Sequence, residues 1–237
     1  MAHPIDSKIN GLTALSARMA QAFPKGGSGG SEALKALCSE VGALLEGAIA
    51  LRDLHSTRNP TETDGAHTKR VATDAQRFAK KIEAARERAA KLAKDGLGNI
   101  AAQIRAKTQL VPDRYETEMR AQFRLLSSTE RLKLLGELIE EKRGAEFAAI
   151  VNAPRFLTGM TETLRQHYEA AFVAKHAAAE LADQKGVADA LEAANVAAGV
   201  AAEVAAAYSN PGTLAEIARA EAAAQAAAKK FDAAVGS

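Results

Sequence analysis

Apolar residues recur along this chain at spacings of three and four almost from end to end, the period of helices rather than of strands. Ile5, Ile9, Leu12, Leu15 and Met19 form the first stripe and predict a helix over 5–22, with Asp6 and Ser7 near its start as caps. Leu34, Leu37, Val41, Leu44, Leu45, Ala48 and Leu51 predict a second over 32–54. Between them, residues 23–31 are rich in Gly and Ser and read as a tether. A phosphate-cradling loop is excluded there, because the run ends in Ser31-Glu32 without Gly-Lys-Ser/Thr and follows no strand.

The third stripe is the most regular. Val71, Ala75, Phe78, Ile82, Ala85, Ala89 and Leu92 alternate spacings of four and three, a 3.5-residue repeat that marks the seam of a coiled coil or helical hairpin. No equal partner is obvious for it, so this helix, expected over 69–94, either packs within the chain or waits for another subunit. The polar loop before it spans 55–68. After it, Asp95-Gly96-Leu97-Gly98-Asn99 is expected to break the helix, leaving a short one over 100–109 that stops before Val111-Pro112. Asp113 should start the next, through Tyr115, Met119 and Phe123 to Leu126.

The region 123–168 holds the densest large apolar residues and the clearest punctuation. Ser127 and Glu130 have capping-box spacing. Leu132, Leu135, Leu138 and Ile139 form the inner face of a helix that should end at Lys142-Arg143, with Gly144 just past its terminus. Phe147, Ile150 and Val151 point inward from a short helix stopped by Ala153-Pro154. Phe156 and Leu157 then project from an apolar turn ending at Gly159. They either plug a pocket between flanking helices or anchor another subunit. Thr161 caps a helix with Leu164, Tyr168 and Phe172 inward.

Beyond His176 the character changes: 26 of the 62 residues from there to Ser237 are alanine, with four basic and eight acidic residues. Gly186 is expected to separate the preceding helix from one over 187–208. Ser209-Asn210-Pro211-Gly212 reads as a tight turn, and Thr213 with Glu216 as a capping box. The last helix carries Leu214, Ile217, Ala224, Ala228, Phe231 and Val235 on one side, interrupted by Glu221. Two alanine-lined helices joined by such a turn should pack closely as an antiparallel hairpin.

Composition sharpens this picture. The apolar share of the 237 residues is 47%, but aromatics are only 4% and Trp is absent. Alanine buries little area, so much of the chain should draw stability from neighbouring helices or subunits. The net charge of +2 singles out no nucleic acid or membrane. Charge is nonetheless local: residues 69–95 carry nine Lys/Arg against four Asp/Glu. Arg77, Lys80, Lys81, Arg88 and Lys91 are candidate contacts for phosphate or an acidic partner, against the simpler reading of a solvated face. Cys38, the one cysteine, rules out an intrachain disulfide and reads as a buried, inert thiol. No signal peptide and no membrane span is expected, since the alanine-rich run 193–208 contains Glu203 and falls short of a span.

No metal-spaced His/Cys set, nucleophile elbow or dinucleotide fingerprint occurs, so no enzyme and no cofactor are expected. His55, His67 and His167 read as solvated surface residues. The pattern Leu-Ser-x-x-Glu-Arg, a helix, Ala-Ile-x-x-Ala-Pro-x-Phe-Leu-x-Gly, and a helix with Tyr168 resembles small helical proteins encoded among the structural genes of tailed bacteriophages. The resemblance covers residues 125–175, carries over no functional residue, and implies a virion component or assembly factor. The expectation is an all-α bundle of seven to nine helices. It comprises an N-terminal helix (1–22), a linker (23–31), a core region (32–175) with a long heptad helix, and an alanine-rich hairpin (176–237). The expected role is structural, through homo- or hetero-oligomeric contacts, in a virion or otherwise in the cytoplasm. The alternative is a nucleic-acid-associated protein using the basic helix.

Overall fold

The computed structural model describes residues 4–22, 32–111 and 116–235. Among them the chain forms α1 (Pro4–Ala22), α2 (Glu32–Ser56), α3 (Asp64–Thr108), α4 (Glu116–Leu125), α5 (Ser128–Glu140), α6 (Gly144–Val151), α7 (Arg155–Thr158), α8 (Glu162–His176), α9 (Ala178–Ser209) and α10 (Pro211–Val235), with no strand. The all-α class read from the periodicity holds; α7 is a single turn and the other nine are longer. The tether 23–31 and the start at Asp113 and Tyr115 lie outside the described residues.

Two expected breaks are absent. α3 runs unbroken through Gly96 and Gly98, so residues 64–108 are one helix of 45 residues. Each glycine costs only about 1 kcal/mol relative to alanine. No proline removes a donor there, and burial of Ala93, Gly96 and Ile100 on successive turns outweighs that cost. α9 likewise passes through a buried Gly186; the break falls earlier, at Ala177, whose φ of −136° and ψ of 35° leave the helical region.

By packing, the chain divides into one unit of Met1–Ala93 with Ala188–Ser237 and another of Lys94–Val187. The divisions fall inside α3 and α9, not at the composition shift near His176.

In the first unit, α2 and α3 form the hairpin that the heptad required. His55 faces His67, Gly47 faces Phe78, and Glu40 faces Arg88, so numbers rise on one helix as they fall on the other. Six of the seven seam residues, Val71, Ala75, Phe78, Ile82, Ala85 and Ala89, are buried, and Leu92 is half-buried. The drift from Leu92 to Ala93 is what a 3.6-residue helix does to a 3.5-residue repeat. The partner that the sequence did not make obvious is α2, whose stripe of Leu34, Leu37, Val41, Leu44, Ala48 and Leu51 is buried. Gly47 is what lets the Phe78 ring in: a Cβ at that position would run into it. α1 packs against α2, and its Ile5, Ile9, Leu12 and Met19 are buried. α9 joins with Tyr208 stacked 4.8 Å from His55 and Glu203 paired to Lys8. Its buried stripe, Val187, Ala190, Ala194, Ala197, Ala198, Ala201, Val204 and Ala205, is nearly all alanine.

α10 departs from the expected hairpin. It has no buried residue, and every position from 218 to 235 is exposed. Its cap is Asn210, whose side chain accepts from the Thr213 amide at 3.4 Å with Pro211 as first helical residue, in place of the expected Thr213–Glu216 box.

The second unit is built from short helices around large side chains. Phe123, Leu135, Leu138, Ile139, Phe147, Ile150, Val151, Met160 and Phe172 form one cluster, in which the Phe147 and Phe172 rings lie 4.8 Å apart. Leu132, expected inward, is exposed, because α5 turns only its 135/138/139 side to the core. The Ser127–Glu130 capping box is present: the Ser127 amide donates to Glu130 Oε2 at 2.8 Å, and Ser127 Oγ accepts from the Glu130 amide at 3.4 Å.

The end of α5 differs from expectation. Lys142, with φ of 59°, takes the left-handed position, and the Arg143 amide donates back to the Leu138 carbonyl at 3.0 Å. Gly144 instead opens α6, where a Cβ would collide with the Thr108 carbonyl oxygen. Glycine is thus required there by close approach rather than by backbone angle.

Candidate functional site

The turn after Pro154 is held at both ends. Pro154 precedes α7, and Gly159 closes it in the left-handed conformation at φ of 72°, its amide donating to the Arg155 carbonyl at 2.6 Å. A single turn held this way directs alternate side chains oppositely. Thr158 and Met160 are buried, Leu157 is half-buried, and Phe156 is 80% exposed. The plug reading therefore fails for Phe156, which stands in water while Thr158 and Met160 are buried.

Arg131 fixes this surface. From α5 its Nε donates to the Phe123 carbonyl at 3.0 Å and its Nη2 to the Arg124 carbonyl at 2.7 Å, while Nη1 lies 3.5 Å from the Thr158 carbonyl. One guanidinium, which also sits 5.4 Å from the Phe123 ring centroid, therefore closes the carbonyl ends of α4 and α7 together. On either side of this clamp in sequence stand Leu125 and Phe156, the two most exposed large apolar side chains among the unit's described residues, each at 80%. Arg120 makes a similar brace, its Nε donating to the Ala149 carbonyl at 2.8 Å. Neither arginine was singled out from sequence; both look like ordinary surface cations until the folded chain brings distant carbonyls to them. Beside the turn, Asn152, Pro154, Arg155, Thr161, Glu162 and Arg165 line an open recess of about 350 Å³. Arg165 there is engaged by Glu162 at 2.5 Å and 3.0 Å, which holds the Glu162 carboxyl below its ordinary range.

The basic candidates Arg77, Lys80, Lys81, Arg88 and Lys91 are all exposed on α3, and Arg88 flanks the seam closely enough to reach α2. Among the described residues, two of the five have acidic partners. Arg77 meets Asp74 at 2.9 Å, and Arg88 grips both oxygens of Glu40 at 2.8 Å and 3.0 Å. The seam residues themselves are taken up by the α2–α3 hairpin.

His55 and His67, expected to be solvated, belong to a network at the α2–α3 turn. His67 Nε2 donates to the His55 carbonyl at 3.1 Å, and its Nδ1 lies 3.2 Å from Arg70 and 3.5 Å from Glu62. Arg70 forks onto Glu62 at 3.0 Å and 3.1 Å, which lowers the Glu62 carboxyl from its ordinary value. Burial raises the phenol of the adjoining Tyr208. These groups lock a turn and leave no open position around a central atom. Cys38 is half-buried, and desolvation raises its thiol, which disfavours the reactive thiolate. Glu180, in the first turn of α9, pairs with Lys107 at 2.5 Å and is lowered by it, while its Oε2 is buried without a hydrogen bond. Among the described residues no three His, Cys, Asp or Glu side chains are grouped to hold a metal ion. Among the described residues one helical stretch, Ala178–Val235, is long and apolar enough by length and composition to cross a membrane, and 39% of its apolar part is buried in the protein.

Compared with known proteins, the chain matches no protein-family model, no curated protein and no solved structure.

Proposed function

We propose that this protein is a non-enzymatic structural or assembly component that works through helix-mediated contacts with other protein subunits, in a virion of the tailed-bacteriophage kind. The observation that carries the reading is Phe156. A large aromatic side chain stands 80% in water on a one-turn helix fixed by Pro154, Gly159 and Arg131, beside a unit whose other phenylalanines are fully buried. Presenting an apolar side chain to water on a fixed turn brings the isolated chain no stability. It preorganises an anchor, because the ordering cost is met before a partner arrives. Leu125 adds a second apolar side chain next to the same arginine clamp. Phe156→Ser tests the reading. The expected result is unchanged melting, within about 0.5 kcal/mol as for an exposed site, with loss of mass in light scattering or of incorporation into particles. Melting and assembly that both survive would remove the anchor.

A second reading, binding of nucleic acid along α3, rests on the five exposed cations spread over 77–91. Replacing Arg77, Lys80, Lys81, Arg88 and Lys91 by Gln should then lower affinity and reduce the salt slope by about one unit for each phosphate no longer neutralised. The acidic partners of Arg77 and Arg88 favour a weaker effect, and no binding at low salt would return the strip to a solvated face.

A further inference from the structure

The structure leaves one long helix uncovered, and the order of large and small residues on it is matched by its own reverse. On α10, Leu214, Ile217, Glu221, Ala224, Ala228, Phe231 and Val235 alternate spacings of three and four without a miss, the a/d seam of a coiled coil. Its first part is engaged within the chain: Leu214 and Ile217 are half-buried, and Glu221 takes Lys69 at 2.7 Å and 3.0 Å. Beyond Glu221 the seam is in water, with Phe231 66% and Val235 69% exposed.

We infer that the second half of α10 pairs antiparallel with the same segment of a second copy of this chain, centred between Lys229 and Lys230. This inference rests on the oligomeric reading above and names one of its surfaces. Reversing the segment about that point sets Ala224 opposite the partner's Val235 and Ala228 opposite the partner's Phe231, then the same two layers again by symmetry. Every layer joins one large and one small side chain, so the helices keep an even separation along the seam. A parallel pair would set Phe231 against Phe231 and alanine against alanine, holding the axes apart at one layer and leaving a gap at the next. Sliding the antiparallel pair by one heptad brings Glu221 into the interface, against the partner's Phe231, and away from Lys69, and sets Ala224 against Ala228. The positions flanking the seam are alanines together with Gln225 and Asp232, so no like charges line it. Lys229 and Lys230 fall on the outward side. The pairing is isologous, since each copy offers the patch that it receives. With four layers it is a small interface, and its occupancy should follow concentration.

The test uses the full chain. Light scattering across a concentration series should show the mean mass rising from 24.8 kDa towards twice that value. Phe231→Lys, checked by circular dichroism for retained helix, should abolish the rise. In a Cys38→Ser background, the double change Ala224→Cys with Val235→Cys should form an interchain disulfide under mild oxidation, and neither single change should. A wild-type mass that stays constant at every concentration overturns the inference and the homo-oligomeric reading together. A rise that persists in Phe231→Lys overturns the inference alone and leaves the anchor at Phe156 to account for assembly. Cross-linking by the single Ala224→Cys change overturns the antiparallel register. A constant mass combined with Phe231-dependent sedimentation with phosphatidylcholine vesicles overturns it in favour of a lipid surface.

Discussion

The two units of this molecule use apolar residues in opposite ways. The second concentrates them: Phe123, Phe147, Phe172, Leu135, Leu138 and Ile150 meet in one cluster formed by helices of 8 to 15 residues. The first dilutes them along helices of 19 to 45 residues, one of whose buried stripes is almost wholly alanine. A buried methyl contributes far less than a buried ring, so an alanine seam depends on length and on close backbone approach, whereas a ring cluster depends on a few volumes. The same contrast recurs within the first unit. α9 and α10 are both alanine-rich, yet α9 buries a full stripe and α10 buries nothing. Alanine content therefore sets helix propensity without deciding burial.

The largest effect should come from the ring cluster. Phe147→Ala removes a fully buried ring packed on Phe172 and should cost about 3–5 kcal/mol in denaturant unfolding. A cost below that of an ordinary surface change would mean that the second unit is not organised around its aromatics. The alanine seam should fail by overfilling instead. Ala197→Leu on the buried face of α9 should destabilise by about 1–3 kcal/mol. Ala223→Leu on exposed α10 should stay within about 0.5 kcal/mol. Equal effects at the two positions would erase the distinction between the helices.

The smallest loss expected from removing a bonded group is at the cap of α5. Ser127→Ala should cost about 1 kcal/mol at neutral pH, and that difference should depend on acid. Hydrogen bonds from the Ser127 side chain and backbone lower the Glu130 carboxyl from its ordinary value. A carboxyl lowered on folding adds stability above its unfolded pKa of about 4.3, and that stability is lost as pH falls through the folded value. Melting curves of the two proteins should thus converge as pH drops below the ordinary carboxylate range. A gap that stays constant would mean that the cap acts through the serine alone.

Much of this was legible in the residues. Helix class, the seam from Val71 to Ala89, the Ser127–Glu130 box, the Thr161 cap and the inward Phe147, Ile150 and Val151 all follow from local spacing. Side chains three and four apart share a face whatever the rest of the chain does. What tertiary structure decided is every feature whose cause lies elsewhere in the chain. Gly96, Gly98 and Gly186 stay helical because neighbouring turns are buried, and packing outweighs a propensity cost of about 1 kcal/mol. Gly144 is glycine because the Thr108 carbonyl reaches it from α3. The heptad of α3 found α2, whose buried stripe from Leu34 to Leu51 also alternates spacings of three and four; which helices lie side by side is set by the fold and not by the period alone. Arg131 became a clamp only when the ends of α4 and α7 met. Phe156 was legible as an apolar residue on a turn. That it faces water follows from Thr158 and Met160 taking the inner side of α7, because a single helical turn cannot direct all its side chains the same way.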